Sequence, residues 1–283
     1  MDKIKLEQQS DKIEAILTAN GIEARVTGGI VTPRAVIFQV SKSLPKGNGL
    51  AVSLALALNV PSVAIDHNTI TVKRQDASVV SLLALLGRLA KTKCTPSFTA
   101  TLGMCDDGAP LLIRLPSEMV GHVLVTGAGA SDLLRTIAIS LIVSNRPRAM
   151  RLVLAGRKFG DLARLPHAQY YSIDDIMPLV GRSVIAPRVV IVLDDLATID
   201  ENMMRILQDG HKSGIHVIAS GNVSSSGFST ILKSNGELGD FTALADGQAV
   251  RFTAAYISPA EVNQIVMGTL PKMNPSRLQV ATA

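Results

Sequence analysis

Residues 123–134 read Val-Leu-Val-Thr-Gly-Ala-Gly-Ala-Ser-Asp-Leu-Leu, an apolar run that leads into a glycine-rich turn and a second apolar stretch. The run predicts a buried strand, and the leucines after Ser131 begin a helical apolar pattern. A glycine-rich turn between strand and helix is typical of a phosphate-binding loop, whose frame is G-x-x-x-x-G-K-[ST]. In that frame the second glycine, the lysine and the hydroxyl fall on Asp132, Leu133 and Leu134. The stretch therefore predicts the scaffold of a phosphate loop without its cation.

A second apolar strand ends in two carboxylates. Residues 189–195 read Val-Val-Ile-Val-Leu-Asp-Asp, the pattern of a strand that carries a magnesium-organising acid. Paired aspartates also end buried strands as helix caps or as charges that face solvent. Residues 127–131 are equally compatible with an ordinary strand-to-helix turn in an unrelated α/β fold. The two motifs alone leave both interpretations open.

The composition indicates a globular protein. The 283 residues are 47% hydrophobic and 18% charged, enough for one large domain or two modest ones, each with its own core. The net charge of +5 is compatible with an acidic polymer such as nucleic acid. Cys94 and Cys105 lack metal-ligand spacing, which fits a reducing cytoplasm. His122 and His216 lie in apolar strands, so we expect structural roles for them. No apolar run approaches the roughly 20 residues of a membrane span.

Apolar strands and helices alternate on both sides of residues 123–134. We expect strands at 123–126, 152–155, 189–193 and 215–219, and their lack of a polar face indicates a mostly parallel sheet covered on both sides. Two further strands, 97–102 and 111–115, are expected before them. Residues 96–270 thus form the main domain.

Residues 1–95 predict a small α/β subdomain. The apolar stripe of Leu6, Ile13, Ile16 and Leu17 predicts a first helix that stops at Asn20-Gly21, and further helices are expected at 49–58 and 77–90. The expected strands are 23–26, 35–40, 62–66 and 69–73. Ser258 and Glu261 predict a capping box for the last helix of the main domain. Residues 271–283 are expected to form a loose tail.

Five segments together resemble the motor domain of the FtsK/SpoIIIE family of DNA translocases. They are residues 98–103, 122–127, 151–158, 214–220 and 231–235, followed by a final hairpin and helix at 247–262. Each motif is loose, but their order and spacing are specific. The resemblance covers nearly the whole chain and is weakest over the first ninety residues. It implies a RecA-like P-loop NTPase core preceded by a small subdomain.

The resemblance implies that ATP and Mg²⁺ are the ligands of this core. The nucleotide would lie over eight consecutive residues, which are Gly127, Ala128, Gly129, Ala130, Ser131, Asp132, Leu133 and Leu134. Asp194 would be the metal-organising acid and a catalytic residue. Asp195 stands where the family has the glutamate that activates water, one methylene shorter.

Double-stranded DNA is the partner that the resemblance implies. Its phosphates would be contacted by Arg157, Lys158, Lys212 and Lys233, on loops that face a central channel. The family likeness also implies a ring, hexameric in form, built from copies of this chain or from this chain and an active relative.

Several departures from the family pattern concern the same phosphate chemistry. Beyond residues 132–134, the family's aspartate in its "DPK" motif falls on Gly156, and the glutamine after the sensor strand falls on Gly221. The leading hypothesis is therefore a DNA-binding pseudo-ATPase. One alternative is an active DNA-dependent ATPase that contacts phosphates through Ser131, Arg135 or Lys158. The other is a structural or assembly protein that reuses the fold and binds neither ligand.

Overall fold

The computed structural model describes residues 3–45, 48–74, 79–92, 97–115, 117, 120–165, 168–170, 188–210 and 214–267. The chain divides into two compact units. Unit 1 comprises Met1–Val79 and Met104–Ala109, and unit 2 comprises Val80–Gly103 and Pro110–Ala283. Residues 80–95, expected in the small subdomain, thus group with unit 2. The domain boundary itself stays a prediction, and the expected tail at 271–283 lies outside the described residues.

Unit 1 is an antiparallel sheet with two helices. In chain order its elements are α1 (Lys3–Ala19), β1 (Val26–Val31), β2 (Ala35–Val40), α2 (Asn48–Leu58), β3 (Val63–Asp66) and β4 (Thr69–Lys73). The strands pair in the order β1-β2-β4-β3. Ile13 and Leu17 of α1 share one buried cluster with Phe38, Leu54 and Ile70. The two helices therefore close a single core over the sheet.

Local signals in unit 1 were correct except at the first strand. α1 ends at Ala19, and Gly21 takes the left-handed conformation (φ 73°) that ends helices. The strand predicted at 23–26 is wrong in position, because β1 runs through Gly28 and Gly29, which had indicated a turn. The pairing with β2 shifts between Val26 and Gly28. An irregular strand accommodates glycines at such a shift.

Unit 2 is built on one large sheet. Its elements begin with β5 (Val80–Ser81), α3 (Leu82–Thr92), β6 (Thr99–Cys105), β7 (Pro110–Arg114), β8 (Val123–Thr126), α4 (Ala130–Ser144), β9 (Met150–Ala155) and a 3-10 helix (Arg157–Arg164). They continue with β10 (Ala168–Tyr170), β11 (Arg188–Leu196), α5 (Glu201–Asp209), β12 (Ile215–Gly221), β13 (Thr230–Ser234), β14 (Asp240–Ala245), β15 (Gln248–Tyr256) and α6 (Pro259–Val266).

Most of this sheet is parallel, as predicted. The described strands pair in the order β10-β9-β11-β12-β8-β13-β14-β15-β6-β7, with β5 added beside β15. From β10 to β13 every pair is parallel, and β13-β14-β15 are antiparallel. The helix expected at 77–90 begins later, because Val80 and Ser81 pair with β15 instead. The strand order places β8 between β12 and β13, at the centre of the parallel part.

Helices cover the parallel strands. Met203, Ile206 and Leu207 of α5 share a buried cluster with Leu124 and Ile191 of the sheet, so the predicted apolar stripe of α5 is confirmed. α4 packs against β8, β11, β12 and β15. The capping box predicted for α6 is also confirmed, since Ser258 accepts from the Glu261 backbone and Glu261 accepts from Ser258. No described helix has the length and apolar character required to cross a membrane.

Candidate functional site

The carboxyl ends of four neighbouring parallel strands form a cleft in unit 2. The cleft has a volume of about 760 Å³. Its lining comes from the carboxyl-terminal parts of β8, β9, β11 and β12, the residues after them and the first turn of α4. The lining residues are Thr126, Gly127, Ala130, Ser131, Gly156, Asp194, Asp195, Ser220, Gly221 and Asn222. Ligands of open α/β sheets bind at such carboxyl ends. The two motifs of the sequence analysis therefore meet at one site.

The turn between β8 and α4 is short. In a phosphate loop the glycine-rich turn leads into a helix N-terminus that faces the phosphates. Here α4 already begins at Ala130, so only Gly127, Ala128 and Gly129 separate the two elements. The Ala130 N–H donates to the Gly127 carbonyl (3.2 Å), and the Leu133 N–H donates to Gly129 (3.0 Å). These two N–H groups are occupied within the chain rather than left to phosphates.

Both glycines of this turn are conformationally required. Gly127 (φ 89°) and Gly129 (φ 79°) have left-handed backbones that side chains disfavour. A Cβ at Gly127 would also lie 2.8 Å from Ser234 Cβ. The close approach of β13 therefore fixes the turn against its neighbour.

Leu133 and Leu134 are core residues and do not line the cleft. Their exposed fractions are 1% and 0%. Asp132, one residue earlier, is exposed in the first turn of α4. Of the eight residues predicted to hold nucleotide, Gly127, Ala130 and Ser131 line the cleft. The positions of the missing lysine and hydroxyl are thus occupied by side chains that anchor α4.

The acid pair is organised by a serine that sequence reasoning did not single out. Asp194 is 6% exposed, and one of its carboxylate oxygens accepts a 2.8 Å hydrogen bond from the Ser220 hydroxyl. The same hydroxyl oxygen accepts from the Asp195 N–H at 3.0 Å. Asp195 is exposed and has a left-handed backbone (φ 62°). Ser220 therefore links the ends of β11 and β12 and orients the two carboxylates differently.

Two glycines make room for this arrangement. A Cβ at Gly156, whose φ is 125°, would lie 2.5 Å from Asp194 Cβ. A Cβ at Gly221 would overlap the Leu196 carbonyl. These are two of the positions where the chain departs from the family pattern, so each departure coincides with a tight backbone contact.

The described lining of the cleft carries negative charge without a compensating cation. It includes Asp194 and Asp195, and no described lining residue is lysine or arginine. Arg135 pairs with Asp161 through two hydrogen bonds, one of them 2.9 Å long. This pairing lowers the pKa of Asp161, through the hydrogen bond from Arg135 above all. Arg135 thus has a carboxylate partner of its own and does not line the cleft.

The donor set does not fit a magnesium–nucleotide complex of the ordinary kind. Among the described residues, no group of three or more His, Cys, Asp or Glu side chains could hold a metal ion. The hydroxyl ligand of the phosphate-loop frame is replaced by buried Leu134. Asp194, predicted as the metal ligand, accepts the Ser220 hydroxyl through one of its two carboxylate oxygens. The phosphate-loop frame itself lacks the lysine and the hydroxyl that hold this ligand.

The residues predicted to contact DNA are only partly described. Lys233 is exposed on β13, where its backbone pairs with Thr126 at the cleft edge. Arg157 and Lys158 begin the 3-10 helix after β9, but their side chains lie outside the description, and Lys212 lies outside it altogether. His122 is buried, and its Nδ1 accepts the Val217 N–H at 2.9 Å, as its predicted structural role requires.

The fold of this chain is RecA-like and similar to that of solved ATPase structures. The cytoplasmic domain of the Type VII secretion ATPase EccC from Thermomonospora curvata superposes with a TM-score of 0.54 at 17% identity, over 73% of this chain and 36% of that chain. A structure of ATPases 2 and 3 of the same protein, in complex with a signal sequence peptide, gives 0.52 at 17% identity, over 75% and 48%. At this identity the likeness concerns the fold alone.

Sequence comparison confirms the resemblance to FtsK-type DNA translocases. The DNA translocase FtsK of Bacillus anthracis is 26% identical over 175 residues, which is 57% of this chain and 22% of that protein. The DNA translocase SftA of Bacillus subtilis is 25% identical over 181 residues, 59% of this chain and 19% of that protein. The matched region therefore spans about a fifth of the length of these relatives. No protein-family model matches the chain.

Proposed function

We propose that this chain is a DNA-binding relative of the FtsK-type translocases that does not hydrolyse ATP. It acts as a cytoplasmic subunit of an oligomeric ring, formed with further copies or with an active relative. The observation that carries the proposal is the burial of Leu133 and Leu134 in a helix that starts at Ala130, inside the phosphate-loop frame. Buried apolar side chains thus occupy the lysine and hydroxyl positions of the frame.

The negative charge of the cleft supports the proposal that this chain does not hydrolyse ATP. ATP brings several negative charges to a site whose described lining contributes two carboxylates, and exposed Asp132 adds a third at the start of α4. Two unit charges 4 Å apart repel by about 4 kcal/mol at an effective dielectric constant of 20. Without the lysine, the helix N-terminus alone has to offset this repulsion.

The proposal of DNA binding is supported by the similarity to DNA translocases and by the distribution of charge along the chain. Unit 1 has nine basic and nine acidic residues, whereas unit 2 has 19 basic and 14 acidic residues. The whole net charge of +5 therefore resides on the unit that resembles the translocase motor. Attraction to phosphates by a positive surface does not depend on base sequence and weakens with salt.

The experiment is a paired measurement on the purified chain. Binding of a fluorescent ATP analogue is titrated at physiological Mg²⁺, and ATP hydrolysis is measured with and without duplex DNA. We expect no saturable binding at micromolar nucleotide and no hydrolysis above background, together with salt-dependent DNA binding. Hydrolysis that DNA stimulates and Asp194→Asn abolishes would overturn the proposal.

An active ATPase is the second candidate, because Ser131 presents a hydroxyl at the cleft from the first turn of α4. In that case Ser131→Ala lowers the hydrolysis rate at least tenfold. If neither nucleotide nor DNA binds, the chain reuses the fold as an assembly protein.

A further inference from the structure

Four arginines lie at the amino-terminal edge of the parallel sheet, opposite the cleft, and a fifth, at the carboxyl end of β7, lies beside them. We call them the arginine edge: Arg114, Arg146, Arg148, Arg151 and Arg188. Arg151 is the second residue of β9 and Arg188 the first of β11, and these strands are hydrogen-bonded neighbours. Since Gly156 and Asp194 lie at the opposite ends of the same strands, about 20 Å separates the edge from the cleft.

Backbone hydrogen bonds hold this region together. The Arg188 N–H donates to the Ala149 carbonyl at 3.2 Å, and the Ala149 N–H donates to Arg146 at 2.9 Å. The loop that carries Arg146 and Arg148 is therefore tied directly to the start of β11. Arg114 joins the group because the following residue, Leu115, donates its N–H to Phe98 at 3.1 Å.

Phe98 contacts one arginine of the edge and holds it in position. Its ring lies 5.3 Å from the Arg188 guanidinium, in a cation–π contact. Its backbone is left-handed (φ 61°), a conformation that costs roughly 1–3 kcal/mol and persists only where the surroundings impose it. The side chain of buried Asn145 imposes it here by accepting the Phe98 N–H at 2.8 Å. Arg188 is therefore held in place without a carboxylate.

The arginine edge also lacks neutralising partners among the described residues. Elsewhere in unit 2, Arg135 pairs with Asp161 and Arg251 pairs with buried Asp240. No described carboxylate forms an ion pair with any of the five arginines of the edge. Four of them are exposed, and Arg188 is half-buried. A group of uncompensated guanidinium groups on hydrogen-bonded backbone is suited to a polyanion, because guanidinium matches phosphate oxygens in a bidentate manner.

We infer that the arginine edge is a surface for the phosphate backbone of duplex DNA. The inference rests on the proposed DNA binding and names the surface that performs it. A DNA duplex carries one phosphate charge per ~1.7 Å of its axis, a dense series of anions that suits a group of neighbouring arginines. Because the contacts are to phosphates, they position DNA without reading its sequence.

The test compares two double variants of the full chain by fluorescence anisotropy with a labelled DNA duplex at 50–300 mM salt. Arg146→Gln with Arg148→Gln removes two charges from the edge. Arg88→Gln with Arg205→Gln removes two exposed charges elsewhere in unit 2. We expect the first pair to flatten the plot of log K against log salt by about two units and to weaken binding about tenfold at 100 mM salt. The second pair should leave both quantities unchanged. Equal melting temperatures establish that both variants are folded.

The outcomes separate this inference from the proposed function. If wild-type protein binds DNA and the edge variant keeps its salt dependence, the arginine edge is not the DNA surface, although DNA binding stands. A loss confined to the Arg88 and Arg205 variant places DNA on another surface of unit 2 and overturns the inference. If polyglutamate displaces DNA at charge-equivalent concentration, the surface favours acidic peptides and the inference fails. Wild-type protein without salt-dependent DNA binding overturns the proposed function and this inference together.

Discussion

The Ser220 hydroxyl donates a 2.8 Å hydrogen bond to the carboxylate of Asp194, a residue 26 positions away near the end of the neighbouring strand. Asp194 is 6% exposed, so this bond satisfies a charge that is almost withdrawn from water. The same oxygen receives the Asp195 N–H. The acid pair is therefore held by the tertiary structure as well as by its own strand.

Replacement of Ser220 by alanine should destabilise the fold. Asp194 and the Asp195 N–H both lose a partner, and an unsatisfied buried group costs about 1–3 kcal/mol, more when it is charged. Urea denaturation of Ser220→Ala measures the free energy of unfolding. Ser226→Ala, on an exposed loop, is the matched control and should stay within about 0.5 kcal/mol of wild type. An equal effect of the two substitutions would contradict the role of Ser220.

Restoration of the family's aspartate at Gly156 should harm the fold. Any Cβ there meets Asp194 Cβ at 2.5 Å and requires a φ of 125°. We expect Gly156→Asp and Gly156→Ala each to lower the free energy of unfolding by about 1–3 kcal/mol. Gly160→Ala is the control, because its Cβ would meet nothing within 4 Å. A Gly156→Asp protein as stable as wild type would show that the strand ends separate easily.

A lysine at the phosphate-loop position should destabilise the fold without creating a nucleotide site, because this position is buried. Leu133 is 1% exposed, so Leu133→Lys places an ammonium group in the core, and we expect a loss of several kcal/mol without gain of nucleotide binding. Leu134→Ala, which only leaves a cavity, should cost about 2–5 kcal/mol. Leu238→Lys, at a side chain that is 85% exposed, should be nearly neutral. Thermal unfolding ranks the three variants, and micromolar ATP binding by Leu133→Lys would contradict the proposed reason for the lost site.

The Arg135–Asp161 pair should contribute stability that depends on pH. Arg135 lowers the pKa of Asp161, so the contribution is fully present above the unfolded-state pKa of Asp, about 3.9, and is lost as pH falls through the lower folded-state pKa. Because the Asp161 side chain is 44% exposed, solvent limits the pair to about 0.2–1 kcal/mol. A double-mutant cycle with Arg135→Gln and Asp161→Asn measures this coupling at pH 7 and at pH 2. A coupling energy that is equal at both pH values would contradict the assignment.

Local sequence patterns predicted the parts of this fold that local physics controls. Ser258 and Glu261 are three residues apart, and their capping box forms between them with no help from elsewhere. The apolar residues of β8 and β11 predicted buried parallel strands, because only a sheet covered on both sides leaves no polar face. Gly28 and Gly29 misled the prediction, since a glycine pair indicates a turn unless a partner strand accommodates it.

The sequence alone also determined that the phosphate-loop frame lacks its lysine and its hydroxyl, because residues 133 and 134 are both leucine. Only the tertiary structure decided where the residues of that frame lie and which of them are buried. Leu133 and Leu134 are packed into the core, and α4 begins at Ala130. The tertiary structure also decided which carboxylates face the cleft and which arginines lie together. Arg151 and Arg188, for example, are far apart along the chain, and the hydrogen bonds between β9 and β11 bring them to one edge of the sheet.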